Sequence, residues 1–545
     1  MGHTIFELEG SKVLTRRRNT PRRRMTPLAV FVGALMVLTA CGSGGSDAED
    51  FDSASVDLEA TLNVADRAAP TSFDPHRIRN TGEDKHLFLV WDRLLMVDDL
   101  QQLQPGLATE WTFSADETEL TLVLRDNVEF HDGTPVDAAS VKASLERAMT
   151  LEGSTVAASL KAIVDTVDVE ADGAVKISLK TPAPHILQVL ATGAGAVISK
   201  KAIDDGVDIG TDPNSASSGA YELTDFVPNN SSTLTRREGE YWDADAAKIK
   251  TIHIKLFGDS NSMMSALKTG QVDLAIPSIA EQDLEAAVAG TQIQTDVYAT
   301  AGLNALFINP KQIDDPRIRE AIIRGIDRHA IATQLLGGDD MVSDQIDGRT
   351  APTFIEDYDY PFAYDPVRAE ELLKEAGVED GFTLDLMVPA GISSSESAAL
   401  AAQANLKEIG IEVSIRPVPA ADGTATWQEG QTQSMISVIP GQATPYLQVN
   451  RVWKSVYQVA DPQLGTELDE AMASVAAAGL SDDQRVAASQ ELVSTALSQA
   501  TFVPVAYRTG VFAFHSKVLN VDSMPGRWAA DSACELRYLA VAKAL

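Results

Sequence analysis

The chain has 545 residues, with 44 Lys+Arg against 78 Asp+Glu for a formal net charge of −34, 44% hydrophobic residues and 2 cysteines. That length corresponds to roughly three or four domain equivalents with ample apolar material, which excludes a small stapled scaffold and general disorder. So acidic a body repels phosphate backbones and anionic headgroups, and no nucleic acid is expected as a partner.

The N-terminus runs against this acidity. Arg16, Arg17, Arg18, Arg22, Arg23 and Arg24 precede an apolar run from Leu28 to Ala40. The run is about thirteen residues, short of the about twenty that a spanning helix needs, and reads as a secretory signal peptide over 1–40. Met25 is an alternative start that would remove the basic flank. Leu38-Thr39-Ala40-Cys41 resembles the bacterial lipobox, which implies cleavage before Cys41 and its lipidation. Two acyl chains hold a protein on a membrane where one binds marginally, so Cys41 is expected to be a tether and the only membrane contact. Residues 41–56, rich in Gly, Ser and acid, read as a flexible spacer.

Within the body, Leu58–Ala65 reads as a strand, followed by turn chemistry from Asp66 to Pro75. The apolar spacing of Val141, Leu145 and Ala148 predicts a helix over 137–149 with Asp137 as N-cap, flanked by strands at 119–125 and 175–179. One helical period runs from Pro316 to Leu336. A second helix opens at Asp365-Pro366, because proline's missing donor costs nothing in the first turn, and Gly377 closes it. A strand (382–388), a helix (394–409) and a strand (411–418) follow, so the later half has an α/β rhythm.

Site chemistry is sparse. No phosphate loop, H-E-x-x-H, C-x-x-C or G-x-S-x-G motif occurs in the body, and the eight histidines form no i, i+4 pair. His76 and His86 could share a metal, with packing the commoner role for both. Cys41 and Cys534 lie too far apart in sequence to define a disulfide framework, and Cys534 reads as a buried small residue. Nothing here proposes an enzyme or a cofactor; the enzyme alternative is an exported hydrolase.

The stretches Pro105–Trp111 and Leu120–Ala138, the latter containing Phe130-His-Asp-Gly-Thr-Pro135, resemble the signature of the peptide/nickel class of ABC-transporter solute-binding proteins, family 5. The resemblance continues in order through Leu62–Ala65, Pro70–Pro75, Ser218-Gly-Ala-Tyr221, Phe307–Asn309, Asp315–Ala321, Tyr364–Gly377 and Leu406–Val413. Asp132-Gly133 is expected to be a tight turn, making that motif scaffold.

The resemblance implies an α/β fold of two lobes, type II periplasmic-binding-protein-like, with an extra subdomain in lobe one. Lobe one is expected over 57–300 plus 508–545, with the subdomain at about 85–205, and lobe two over 301–507. The crossings fall near Thr300–Leu303 and Pro504–Thr509, and a ligand shut between the lobes is handed to an ABC permease and ATPase by what is expected to be a monomer. Oligopeptide-binding members hold the peptide ammonium with an aspartate in lobe two, whereas the corresponding stretch here, Ser434–Tyr446, has no acid. Asp74 or Asp422 could substitute, and nickel chelates, opines, sugars and aromatics stay open beside peptides. The candidate ligand-binding residues are Ser72, Phe73, Asp74, His76, Asn304, Trp427, Gly441, Gln442 and Tyr446. A sensor or adhesion lipoprotein without a permease is the other alternative.

Overall fold

The computed structural model describes residues 55–78, 81–277, 281–378, 381–419, 422–527 and 534–543. The signal segment, Cys41 and most of the spacer lie outside them. Among the described residues no helix is long and apolar enough to cross a membrane.

A mixed ten-stranded sheet organises the chain. Its strands lie in the order 411–419, 382–390, 434–439, 293–308, 502–515, 274–275, 61–66, 251–256, 231–236 and 221–227. Thr61–Asp66 pairs in parallel with Thr251–Leu256 in register Thr61↔Thr251, and Phe382–Ala390 pairs in parallel with Ile411–Pro419. A separate antiparallel sheet of four strands, in the order 108–113, 119–124, 175–179 and 164–169, packs with the helix Ala138–Thr150 around a core of its own, from Leu94 to Val197. The largest core runs from Leu303 to Tyr507. Another joins Ala60–Ile276 to Phe512–Val541 and buries Cys534.

Local signals explain the element starts. The Asp137 carboxylate accepts from the Ser140 amide at 2.8 Å and Asp365 from the Arg368 amide at 2.9 Å, each satisfying an orphan donor of the first turn. The expected turn at Asp132-Gly133 is present: Gly133 has φ +79°, and Phe130 donates its amide to the Thr134 carbonyl across it.

The single period from Pro316 to Leu336 is instead two helices, Pro316–Arg324 and Arg328–Leu335. Asp327 starts the second by accepting from the Ala330 amide at 2.9 Å. Two short helices that bury the same face preserve the apolar spacing of one long helix, so periodicity alone cannot reveal the break.

Candidate functional site

Two long strands, Ile293–Ile308 and Phe502–His515, run antiparallel through the middle of the sheet. Leu303–Ile308 without Asn304, and most of Phe502–Tyr507, belong to the 303–507 core; Val511–Phe514 belong to the cores on the other side. Between these regions the pairing register breaks from Ala299↔Thr509 to Leu303↔Tyr507. Thr300, Ala301, Gly302 and Arg508 sit in this gap and belong to no apolar cluster among the described residues. Among the described residues the two strands that run between these separate cores lose their regular pairing here, which suits this point to bending.

Side chains converge on the gap from several elements. The Thr300 hydroxyl donates to the Arg508 carbonyl at 2.9 Å and accepts from the Gly302 amide at 3.2 Å. Gly441 follows the strand Ser434–Ile439, and a Cβ on it would stand 2.6–2.8 Å from Ala301, so only glycine lets this loop close on the crossing strand. Gln442 Nε2 donates to the Gly441 carbonyl at 3.1 Å. Asn304, 4% exposed, has a buried Oδ1 that meets no donor of the protein. Such an acceptor is costly to leave unmade, so it is open to a donor from a bound group or a water.

Tyr446 lies on the wall of a cavity of about 440 Å³ whose other wall carries Trp111, Phe113, His185 and Gln188. The Tyr446 and His185 rings stack with centroids 4.3 Å apart. Burial pushes His185 down to about 4, so it stacks as a neutral ring at physiological pH. At the rim Arg485 Nη2 donates to both Glu117 carboxylate oxygens at 2.9 and 3.0 Å, and the Gly479 amide donates to the same group at 3.0 Å. This clasp ties the four-stranded sheet to the helix Asp482–Ser498. A second cavity, of about 480 Å³ beside Arg125, Trp242 and Tyr538, is formed by residues 96–125, 242–245 and 525–538 and by neither crossing strand.

Breaking the clasp has a measurable consequence. The pair is largely but not fully buried, so Arg485→Ala is expected to remove about 1–2 kcal/mol of the contact, roughly a tenfold shift toward open molecules. Small-angle scattering should give a larger radius of gyration for the variant; superimposable profiles would show that the clasp does not govern closure.

Of the expected site residues, Asn304, Gly441 and Gln442 gather at the crossing, and Tyr446 lines the cavity of about 440 Å³. Ser72 is half-buried and its hydroxyl accepts from the Asp74 amide at 3.1 Å. Four others are built into the scaffold. Phe73 is fully buried edge-on to Phe226, and its carbonyl accepts from Trp91 Nε1. Trp427 packs near Phe307 and donates to the Tyr457 carbonyl at 2.7 Å. Asp74 is held by a two-pronged pair with Arg147 at 2.7 and 3.0 Å, and His76 Nδ1 accepts from the same guanidinium at 2.9 Å.

Asp74 is therefore already neutralised, and Asp422 is exposed, so neither is poised to meet a buried ammonium. His86 bonds to Asp66 and Ser232, away from the partners of His76, and among the described residues no group of three or more His, Cys, Asp or Glu could hold a metal ion. Glu117, His185, Arg485 and Arg508 were not singled out from sequence, where they lie hundreds of residues from the groups they meet and carry no motif.

Residues 102–459 match the family model of bacterial extracellular solute-binding proteins, family 5 Middle. The glutathione-binding protein GsiB of Salmonella paratyphi A is 30% identical over 376 residues, covering 67% of this chain and 71% of that protein. The structure is similar to the ABC-transporter substrate-binding protein CtaP of Listeria monocytogenes, with TM-score 0.75, 20% identity, and 89% of this chain and 99% of that chain covered. It is also similar to the periplasmic binding protein DppA of Helicobacter pylori in complex with a peptide, with TM-score 0.72, 18% identity, and 89% and 98% covered. The exported-hydrolase alternative is set aside by this family. Strands crossing between separate cores, a glycine-lined closure and an unpartnered amide, together with the match over two thirds of its length, make the chain a member of the bacterial extracellular solute-binding proteins of family 5, a substrate-binding protein of the ABC-transporter type and not an enzyme.

Proposed function

We propose that this protein captures a peptide-like solute between two lobes and delivers it to an ABC permease while tethered to the outer face of the membrane through a lipid on Cys41. Lobe one comprises 57–300 with 508–545, including the subdomain at about 85–205, and lobe two comprises 301–507. The ligand contacts are Asn304, Gly441, Gln442 and Tyr446, with Ser72 at the edge of the first loop. The observation that carries this reading is the pair of crossing strands whose register breaks between separate cores. A solute touching both sides favours the closed form by its differential affinity.

Peptide-like chemistry is favoured by the named relatives, one glutathione-binding and one in complex with a peptide. Glutathione and short peptides are the first ligands to test. A true ligand should raise the melting temperature by mass action, by the equivalent of about 2.7 kcal/mol at a hundredfold excess over Kd. Silence of both calorimetry and thermal shift across glutathione and di- to tetrapeptides would overturn the peptide-like assignment.

A further inference from the structure

Arg508 stands out at the crossing. It is half-buried, yet among the described residues no carboxylate pairs with its guanidinium and no carbonyl accepts from it. In a chain with 78 acidic side chains, a half-buried arginine that meets no carboxylate among the described residues is kept apart from them by the fold. Its side chain lies over Gly302, where a Cβ would come within 3.0 Å of Arg508 Cδ, so the absence of a side chain there makes room for it.

Asn304 pairs with Ala506 across the two strands, and Arg508 stands two residues beyond Ala506 on a strand that is regular there, so Asn304 and Arg508 are presented on the same side of the sheet. A cation that meets no carboxylate among the described residues therefore shares a face of the strand pair with a buried amide oxygen that meets no protein donor. Together they complement one chemical unit, a carboxylate with a hydrogen-bond donor a few bonds away. That is the end of a peptide chain, the last amide N–H followed by the C-terminal carboxylate. Planar guanidinium and planar carboxylate match two bonds to two acceptors.

We infer that Arg508 receives the C-terminal carboxylate of the peptide-like ligand, with Asn304 Oδ1 accepting from its last amide. This assignment rests on the proposed solute-binding function and adds to it the end of the ligand that is recognised. It fits a lobe-two stretch, Ser434–Tyr446, that offers no acid for an N-terminal ammonium. Recognition then depends on the acidic end of the ligand and tolerates variation at the amino end.

The test is calorimetric titration of the purified protein with tri-alanine and with tri-alanine amide, which differ only in the terminal charge. The acid should bind at least about tenfold more tightly than the amide, as expected for hydrogen bonds to a charged group. Arg508→Gln should lose that preference while keeping the wild-type melting temperature and far-ultraviolet spectrum, and Arg508→Lys should restore part of it.

Equal binding of acid and amide by the wild type, or an undiminished preference in Arg508→Gln, overturns the assignment and leaves solute binding standing. If neither probe binds, the assignment to a peptide carboxylate falls. Native mass spectrometry of protein purified from its own host then separates the two levels, because a retained solute without a carboxylate preserves the proposed function and no retained solute counts against both.

Discussion

Replacing Asp92 by alanine is expected to cost about 3–5 kcal/mol of folding stability, enough to remove a third or more of the total for an ordinary protein. The Asp92 carboxylate is 1% exposed and accepts from four side chains: Ser218 Oγ at 3.0 Å, Tyr241 Oη at 2.6 Å, Trp242 Nε1 at 3.1 Å and Arg537 Nη1 at 3.0 Å. Burial pushes the Tyr241 hydroxyl well above its ordinary value, so it remains a donor at every accessible pH. Truncation would leave the buried Arg537 with Glu535 as its remaining carboxylate and strand three further donors. The network joins Trp91-Asp92-Arg93 to the returning C-terminal segment, so its loss should also loosen that segment. Urea unfolding monitored by tryptophan fluorescence checks this; a loss under about 1 kcal/mol would mean that water or rearrangement satisfies these groups.

Acid should destabilise the protein through His76. Burial, followed by the positive charge of Arg147, pushes the His76 imidazole down to about 3, whereas Asp74 opposes that shift. The folded state therefore holds a neutral ring, and the unfolded chain takes up the proton first. The stabilisation is fully present above about pH 6.5 and is lost as pH falls toward 3, with about 2–4 kcal/mol gone by pH 4. Asp74 acts in the same direction at lower pH. Burial alone would raise its carboxyl, but the hydrogen bonds and charge of Arg147 outweigh this and hold it below 3.8, so its contribution fades only as it protonates. His76→Asn offers an oxygen near the place of Nδ1, keeps an acceptor for Arg147 and cannot titrate. Melting temperatures from pH 7 to pH 4 should fall steeply for the wild type and more gently for this variant; parallel slopes would refute the assignment to His76.

Which parts of this were legible in the sequence follows from the range of the interactions. Asp137, Asp365 and the Asp132-Gly133 turn act on amides two to four residues away, so composition at those positions announces the structure. The break between Arg324 and Arg328 was hidden because Asp327, a cap, sits inside an apolar period that both helices share. Phe73 and Trp427 are cleft candidates on sequence because an aromatic ring looks the same in a core and in a binding wall. What separates the cases is Phe226 beside the first and the Tyr457 carbonyl beside the second. Asp74 likewise carries no local sign of its partner, because Arg147, which neutralises it, comes from another element.

The sequence by itself determined the family and the mixed α/β architecture, because ordered motifs and short-range capping signals carry that information within a few residues. Only the tertiary structure decided which polar groups are engaged inside the protein and which are left for a ligand. Asp74 meets Arg147 and Glu117 meets Arg485, while Arg508 meets no carboxylate among the described residues. The physical reason is that electrostatic pairing depends on distance in space, and partners such as Asp92 and Arg537 are brought together from positions 445 residues apart.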